Sequence, residues 1–142
     1  MKTLSLDVEY DYNFDLYGMV SSGKDYKLAW SLNKLLGLHL TKQQDLIYNL
    51  FDKEQLVISN YEHSSEHSVV RLFCNRALGT STLKKPYLLP DIKEYDYLLQ
   101  ITGALQELCT QDFITNLLRI PLVQYIKKFD PLTLKFKENL LF

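Results

Sequence analysis

The chain has 142 residues, of which 46% are hydrophobic and 23% charged, proportions typical of a soluble globular domain. Its 16 basic and 17 acidic residues give a formal net charge of −1, which argues against a dedicated nucleic-acid or anionic-membrane binder, although a local basic face stays open. Two widely spaced cysteines exclude a disulfide framework, and no apolar run is long enough for a membrane span. Residues 1–7 lack the apolar region of a signal peptide, so we expect one cytoplasmic domain over residues 1–142.

The first part of the chain predicts strands followed by one clear helix. Alternating apolar and polar residues predict strands over residues 4–10 and 14–20, paired as a hairpin. A helix is expected to begin at Ser22 as its N-cap and to stop at Gly37. Trp30 lies off the apolar stripe of this helix, so we expect it to face a loop or a partner. The stripe consists of Leu28, Ala29, Leu32, Leu35 and Leu36.

The middle of the chain predicts a β-meander. Residues 38–40 are expected to start a strand that returns from the helix, and three more strands are expected over residues 45–51, 55–62 and 68–75. Short polar breaks separate the last three, as in consecutive antiparallel strands. Residues 76–85 are expected to form a surface loop.

The last part predicts strand, helix and strand again. Apolar alternation predicts a strand over residues 97–103, a helix over 106–118 and a strand over 122–128, before a turn at Asp130-Pro131 and an extended end. The expected fold class is therefore α+β: a mostly antiparallel sheet with about two helices. Two strand–helix–strand units, about 14–40 and 97–128, would flank the meander.

No pattern in the sequence predicts a metal site or a cofactor. His63 and His67 lie four positions apart, but in a predicted turn, where only Glu62 or Glu66 offers a further ligand. A zinc site needs a fixed tetrahedral set of ligands, so an ordinary polar turn is the favoured interpretation. The loop over residues 21–24 joins a strand to a helix without the GxxxxGK[ST] pattern, which favours helix capping over phosphate binding.

No catalytic residue is predicted either. Cys74 and Cys109 are the candidate nucleophiles, but nothing in the sequence places a histidine beside either thiol. Both cysteines lie in apolar stretches, which favours buried structural thiols.

Several tyrosines lie among basic residues in the second half of the chain. Aromatic rings beside lysines can stack on single-stranded RNA, and tyrosine-rich sheets also suit protein interfaces. The candidate contacts with RNA or a protein partner are Trp30, Lys84, Lys85, Tyr87, Lys127 and Lys128.

Residues 89–97, Leu-Pro-Asp-Ile-Lys-Glu-Tyr-Asp-Tyr, resemble the signature of the IPExxxVDY family, an uncharacterised bacterial family of proteins of this length. Three positions match the named letters of that signature: Pro90, Asp96 and Tyr97. Three positions carry Leu, Asp and Tyr in place of Ile, Glu and Val: Leu89, Asp91 and Tyr95. Residues 25–34, 120–121 and 137–142 are similar as well, so the resemblance covers nearly the whole chain. It implies no established activity.

The motif has two interpretations. In the structural one, which we favour, Pro90 fixes an extended backbone, Asp91 caps a turn over residues 92–94, and Asp96 accepts backbone N–H bonds. In the functional one, an exposed Asp96–Tyr97 pair binds a ligand or partner.

The sequence favours a non-catalytic protein-interaction module, an accessory subunit of a cytoplasmic assembly. The alternative is an RNA-associated accessory protein that uses Lys84, Lys85, Tyr87 and the Lys127–Lys128 pair. A third hypothesis is a small enzyme or small-molecule sensor built on the strand–helix turns near residues 21 and 103. No membrane contact is expected, and the oligomeric state stays open.

Overall fold

The computed structural model describes residues 12–49, 54–79 and 86–142. Within them the strands are β1 (Asp15–Ser21), β2 (Thr41–Lys42), β3 (Leu46–Asn49), β4 (Gln55–Ile58), β5 (Asn60–Ser64), β6 (Ser68–Cys74), β7 (Tyr97–Gly103) and β8 (Val123–Phe129). The α-helices are α1 (Asp25–Leu36) and α2 (Gln111–Leu117). Short 3-10 turns cover Pro90–Ile92, Ala104–Leu108, Pro131–Thr133 and Lys137–Leu140. The predicted α+β class is confirmed, and no described helix has the length and apolar character to cross a membrane.

Six strands form one antiparallel sheet in the order β2-β5-β6-β7-β1-β8, and β3 pairs with β4 in a separate hairpin. Strand β1 lies between β7 and β8, so both of its edges are occupied over residues 16–19. The strand predicted over residues 4–10 lies outside the described residues. Because β1 separates β7 from β8, the strands of the second strand–helix–strand unit are not neighbours in the sheet.

The main sheet is buried on both faces because side chains alternate along its strands. On one face Tyr17, Met19 and Leu99 pack against helices α1 and α2. On the other face Leu16 and Leu98 pack against a layer made of the β3–β4 hairpin, the segment before β7 and the end of the chain. The three layers leave the outer face of each helix to solvent, and one of those faces carries the candidate site.

Helix α1 forms close to its predicted bounds but begins differently. Gly37 ends it in the left-handed conformation, with φ +68°, as predicted. The prediction of Ser22 as N-cap is wrong, because Lys24 holds that position and makes no side-chain capping bond. Leu35, which was predicted in the apolar stripe, is 41% exposed, because the sheet covers only the side of the helix that carries Leu28, Ala29 and Leu32.

Four further predictions are wrong in detail. The returning strand begins at Thr41 instead of residues 38–40. Residues 55–62 form two strands, because the chain leaves the small hairpin at Ser59 and joins the main sheet at Asn60. The helix predicted over residues 106–118 is a 3-10 turn followed by the shorter α2. The end of the chain makes a second turn at Lys137–Leu140 instead of finishing extended, and this turn buries Leu140.

Candidate functional site

The outer face of α1 carries two large exposed aromatic side chains. Tyr26 is 56% and Trp30 64% exposed, and they lie about one helical turn apart. A cavity of about 450 Å³ opens beside them, lined by Tyr26, Lys27, Trp30, Ser31 and Leu122. We call this surface the aromatic groove. Exposed aromatic side chains that lie next to one another make this surface a candidate interaction site.

The start of α1 is fixed by the sheet, which sets the position of the groove. The Tyr97 hydroxyl donates a hydrogen bond to the Gly23 carbonyl at 2.6 Å, so β7 holds the loop that precedes the helix. A Cβ atom added at Gly23 would lie 2.9 Å from the Leu122 side chain. Glycine at this position therefore allows Leu122 to lie against the first turn of α1, where it closes one side of the groove.

Positive charge borders the groove. The Lys34 ammonium lies 5.2 Å from the centroid of the Trp30 ring, and Lys27 lines the cavity. Neither lysine forms an ion pair with another described residue. The Asp25 carboxylate is bonded elsewhere, because it accepts hydrogen bonds from the Tyr26 N–H at 2.8 Å and the Ser59 hydroxyl at 3.2 Å. The aromatic groove is thus apolar at its centre and cationic at its rim.

A second cavity, also about 450 Å³, lies where β1 and β6 end and β7 begins. It brings together the loop over residues 21–24, the Asp96–Tyr97 pair, Cys74 and Arg76. The Ser21 N–H donates to the Asp96 carboxylate at 2.9 Å across 75 positions of sequence. Two features singled out in the sequence therefore meet at this strand-end cleft, although nothing in their spacing predicted it.

Neither cysteine is a good nucleophile: Cys74 lies in the strand-end cleft, and Cys109 lies beside Asp15 and Tyr17 at the start of β1. Burial, with a further contribution from Asp25, raises the pKa of Cys74 to about 12. Burial also raises the pKa of Cys109 to about 11. Both thiols stay protonated at neutral pH, and the thiolate is the form that attacks an electrophile.

The histidines do not gather around a metal position. His63 accepts a hydrogen bond at Nδ1 from the His39 backbone N–H at 3.0 Å, whereas His67 is exposed beside Glu66. Among the residues that the structure describes, no group of three or more His, Cys, Asp or Glu side chains is arranged to hold a metal ion.

The motif residues make mostly internal contacts. Leu89 and Tyr95 are buried, and Asp96 accepts a backbone N–H bond of the kind the structural interpretation expects. The predicted cap by Asp91 over residues 92–94 is wrong: its carboxylate accepts the Lys135 N–H at 3.1 Å and so ties the motif to the end of the chain.

Asn75 is a site residue that the sequence analysis missed. Its side chain is fully buried, donates to the carbonyls of Ile92 and Tyr95 at 3.1 and 3.0 Å, and accepts from the Leu89 N–H at 2.9 Å. Asn75 therefore holds the motif segment to the end of β6. The available signal was a polar residue directly after an apolar strand, which is too common to single it out.

The residues predicted to contact RNA are only partly described, and those described lie apart. Lys84 and Lys85 fall outside the described residues. The Tyr87 hydroxyl accepts a hydrogen bond from Arg76 at 3.2 Å just beyond β6. Lys127 and Lys128 lie on β8, three strand positions along the sheet from β6, or roughly 14 Å.

Comparison with known protein families, curated proteins and solved structures finds no match for this chain. The resemblance of residues 89–97 to the IPExxxVDY signature therefore stays a prediction.

Proposed function

We propose that this protein is a non-catalytic protein-interaction module, an accessory subunit of a cytoplasmic assembly, and that the aromatic groove is its docking surface. The exposure of Trp30, the one tryptophan of the chain, carries the proposal. Tryptophan and tyrosine are enriched among the residues that dominate binding energy at protein interfaces. An exposed Trp30 beside Tyr26 adds nothing to the core, so a partner that covers both supplies a physical reason for their presence.

The chemistry of the strand-end cleft supports a non-catalytic role. Burial raises the pKa of its thiol, Cys74, to about 12, and the thiol donates a hydrogen bond to the Asp25 carboxylate, whose negative charge disfavours the thiolate further. The Asp96 carboxylate in the same cleft is engaged by the backbone of Ser21. These groups stabilise the junction of three strands and leave no activated nucleophile there.

RNA binding is less well supported by the described residues. Lys128 forms an ion pair with Asp15 at 3.2 Å. Binding to nucleic acid through phosphates depends on cations that replace its counterions, so a lysine paired with a carboxylate contributes less to it.

The test is capture of partners from the native host, with and without ribonuclease, by tagged wild-type protein and by Trp30→Ala. We expect a stoichiometric protein partner that survives ribonuclease and whose affinity Trp30→Ala lowers about 30-fold, the effect of a typical hot-spot residue. The control is Leu132→Ala, which truncates a side chain 62% exposed outside the groove.

Three results would count against the proposal. Partners lost on ribonuclease treatment favour the RNA hypothesis. Equal capture by wild-type protein and Trp30→Ala removes the groove as docking surface. An empty eluate leads instead to a thermal-shift screen with metabolites, because a ligand that binds only the native state raises the melting temperature.

A further inference from the structure

Resting on the proposed docking role, we infer that the partner segment that binds in the aromatic groove is an acidic peptide with an apolar anchor residue. Two independent features of the groove support this partner: the positive charge at its rim and the apolar character of its centre.

The charged side chains that the structure places at the groove are basic. Lys27 lines the cavity, and the Lys34 ammonium lies over the Trp30 ring. The carboxylate next to Tyr26, that of Asp25, accepts the Ser59 hydroxyl instead. Neither lysine forms an ion pair with another described residue, so both charges are left for a partner. Because complementary potential selects partners and speeds their encounter, this rim favours a negatively charged segment.

The centre of the groove selects an apolar side chain. Its cavity of about 450 Å³ lies among Tyr26, Trp30 and Leu122, whose carbon surfaces offer van der Waals contact. The ammonium of Lys34 lies over the Trp30 ring, so a carboxylate that pairs with Lys34 stands beside whatever covers that ring. A segment that alternates acidic and apolar residues satisfies both requirements at once.

A protein segment fits these features better than a nucleic acid. An RNA strand also brings negative charge and rings that stack on tryptophan. Its phosphates follow each base, however, and favour a row of cations, whereas this cavity is lined mainly by the apolar surfaces of Tyr26, Trp30 and Leu122.

Because Trp30 is the one tryptophan, its fluorescence reports directly on occupancy of the groove. The probes are three synthetic peptides of equal length and a single-stranded oligouridylate. The first peptide alternates Glu or Asp with Leu or Phe, the second replaces its acids with Lys, and the third replaces its apolar residues with Ser.

We expect the first peptide to shift Trp30 emission to shorter wavelength in a saturable titration. Its affinity should fall as the salt concentration rises, because the rim charges are exposed. The second and third peptides should bind at least about tenfold more weakly. Equal affinity for the acidic and basic peptides, or binding of the oligouridylate in place of the acidic peptide, would overturn the inference.

Charge reversal at the rim provides the matched test. The double variant Lys27→Glu, Lys34→Glu should bind the acidic peptide about tenfold or more weakly. The control, Lys93→Glu with Lys127→Glu, makes the same change in net charge at two exposed lysines outside the groove and should bind as the wild type does. A control variant that weakens binding as much as the rim variant would show that net charge alone is responsible, against the inference.

The two proposals fail in different ways. The experiment is capture of partners from the native host after ribonuclease treatment. A partner that is lost by both Trp30→Ala and the rim variant supports the docking role and the acidic partner alike. If Trp30→Ala loses the partner and the rim variant keeps it, the docking role stands and the acidic partner does not. If Trp30→Ala keeps the partner, the docking role itself is wrong and the inference about the partner falls with it.

Discussion

At the scale of single residues, Asn75 shows how a buried polar side chain holds two parts of this fold together. Its side-chain amide forms hydrogen bonds with three backbone groups of the segment over residues 89–95. Its backbone carbonyl accepts a fourth hydrogen bond, from the Leu88 N–H at 2.7 Å. Buried backbone groups that lose a partner carry the full cost of desolvation. The segment that resembles the family signature therefore depends on a residue outside it.

Replacing Asn75 with Ala should be strongly destabilising. The change removes three buried hydrogen bonds, to the carbonyls of Ile92 and Tyr95 and from the N–H of Leu89, and we expect a loss of about 3 kcal/mol or more in the free energy of unfolding. Urea denaturation measures it. The control is Asn49→Ala, at an exposed site, which should change stability by less than about 0.5 kcal/mol. Equal losses in the two variants would contradict the role given to Asn75.

Gly103 permits a close approach of two chain segments. It has φ +91°, and a Cβ atom there would overlap the carbonyl oxygen of His67, which accepts the Ala104 N–H at 2.9 Å. We expect Gly103→Ala to cost more than about 3 kcal/mol, because both the backbone angle and the packing oppose it. Gly37→Ala, at φ +68° with no atom within 4 Å, should cost only about 1 kcal/mol in the same denaturation experiment. A similar cost for both would show that the backbone angle alone matters.

At the scale of elements, the start of α1 lacks the side-chain cap that helices of this kind usually have. Lys24 holds the N-cap position with an extended backbone, φ −72° and ψ 151°, which suits a capping residue. Lys24→Ser should stabilise the protein by about 1 kcal/mol in thermal or urea unfolding, because the serine oxygen can accept the Lys27 N–H, whose described partner is the Lys24 carbonyl at 3.1 Å. Ser22→Ala should have almost no effect, since Ser22 is not the N-cap; a loss of about 1 kcal/mol there would favour the capping role predicted from sequence.

Much of the sheet could be predicted because its strands are regular. Strands β1, β6, β7 and β8 lie close to their predicted bounds, since alternating side chains face two different layers. The kink at Ser59 was not predictable, because residues 55–62 carry one continuous strand pattern and only tertiary packing divides them. The turn at Ala104–Leu108 was assigned to a helix for a similar reason: its apolar spacing fits both structures.

The candidate site could be predicted only in part. Trp30 was expected to face outward, because it lies off the apolar stripe of an amphipathic helix, and its side chain is 64% exposed. Tyr26 follows from the same spacing but was not named. Leu122 could not be predicted as part of the site, because its position beside α1 depends on β8 pairing with the edge of β1 that β7 does not occupy. Which strands become neighbours depends on contacts across the whole chain.

At the scale of the whole molecule, buried tyrosines and thiols make stability depend on alkaline pH. Burial raises the pKa of Cys74 from 9.0 to about 12 and those of Tyr48 and Tyr61 from 10.0 to about 12. A raised native pKa means that the folded protein keeps a proton that the unfolded chain releases. The stabilisation is therefore complete below the unfolded values of 9.0 and 10.0 and is lost as the pH rises through the native values near 12.

We therefore expect the urea midpoint to fall steadily as the pH is raised above 9, where the unfolded thiols begin to ionise. Tyr61→Phe should make the decline above pH 10 shallower, because one group that ionises only on unfolding has been removed. A midpoint that does not change between pH 9 and 11 would show that these side chains are solvated in the native state.

The central claim is that a protein partner covers the aromatic groove, and site-specific photo-crosslinking in the native host tests it most directly. A benzoylphenylalanine at Ser31, which lines the groove, should form an adduct with one protein, and Trp30→Ala in the same chain should abolish that adduct. The same group at the exposed Lys93 should not form it. No protein adduct from position 31, or the same adduct from position 93, would contradict the claim.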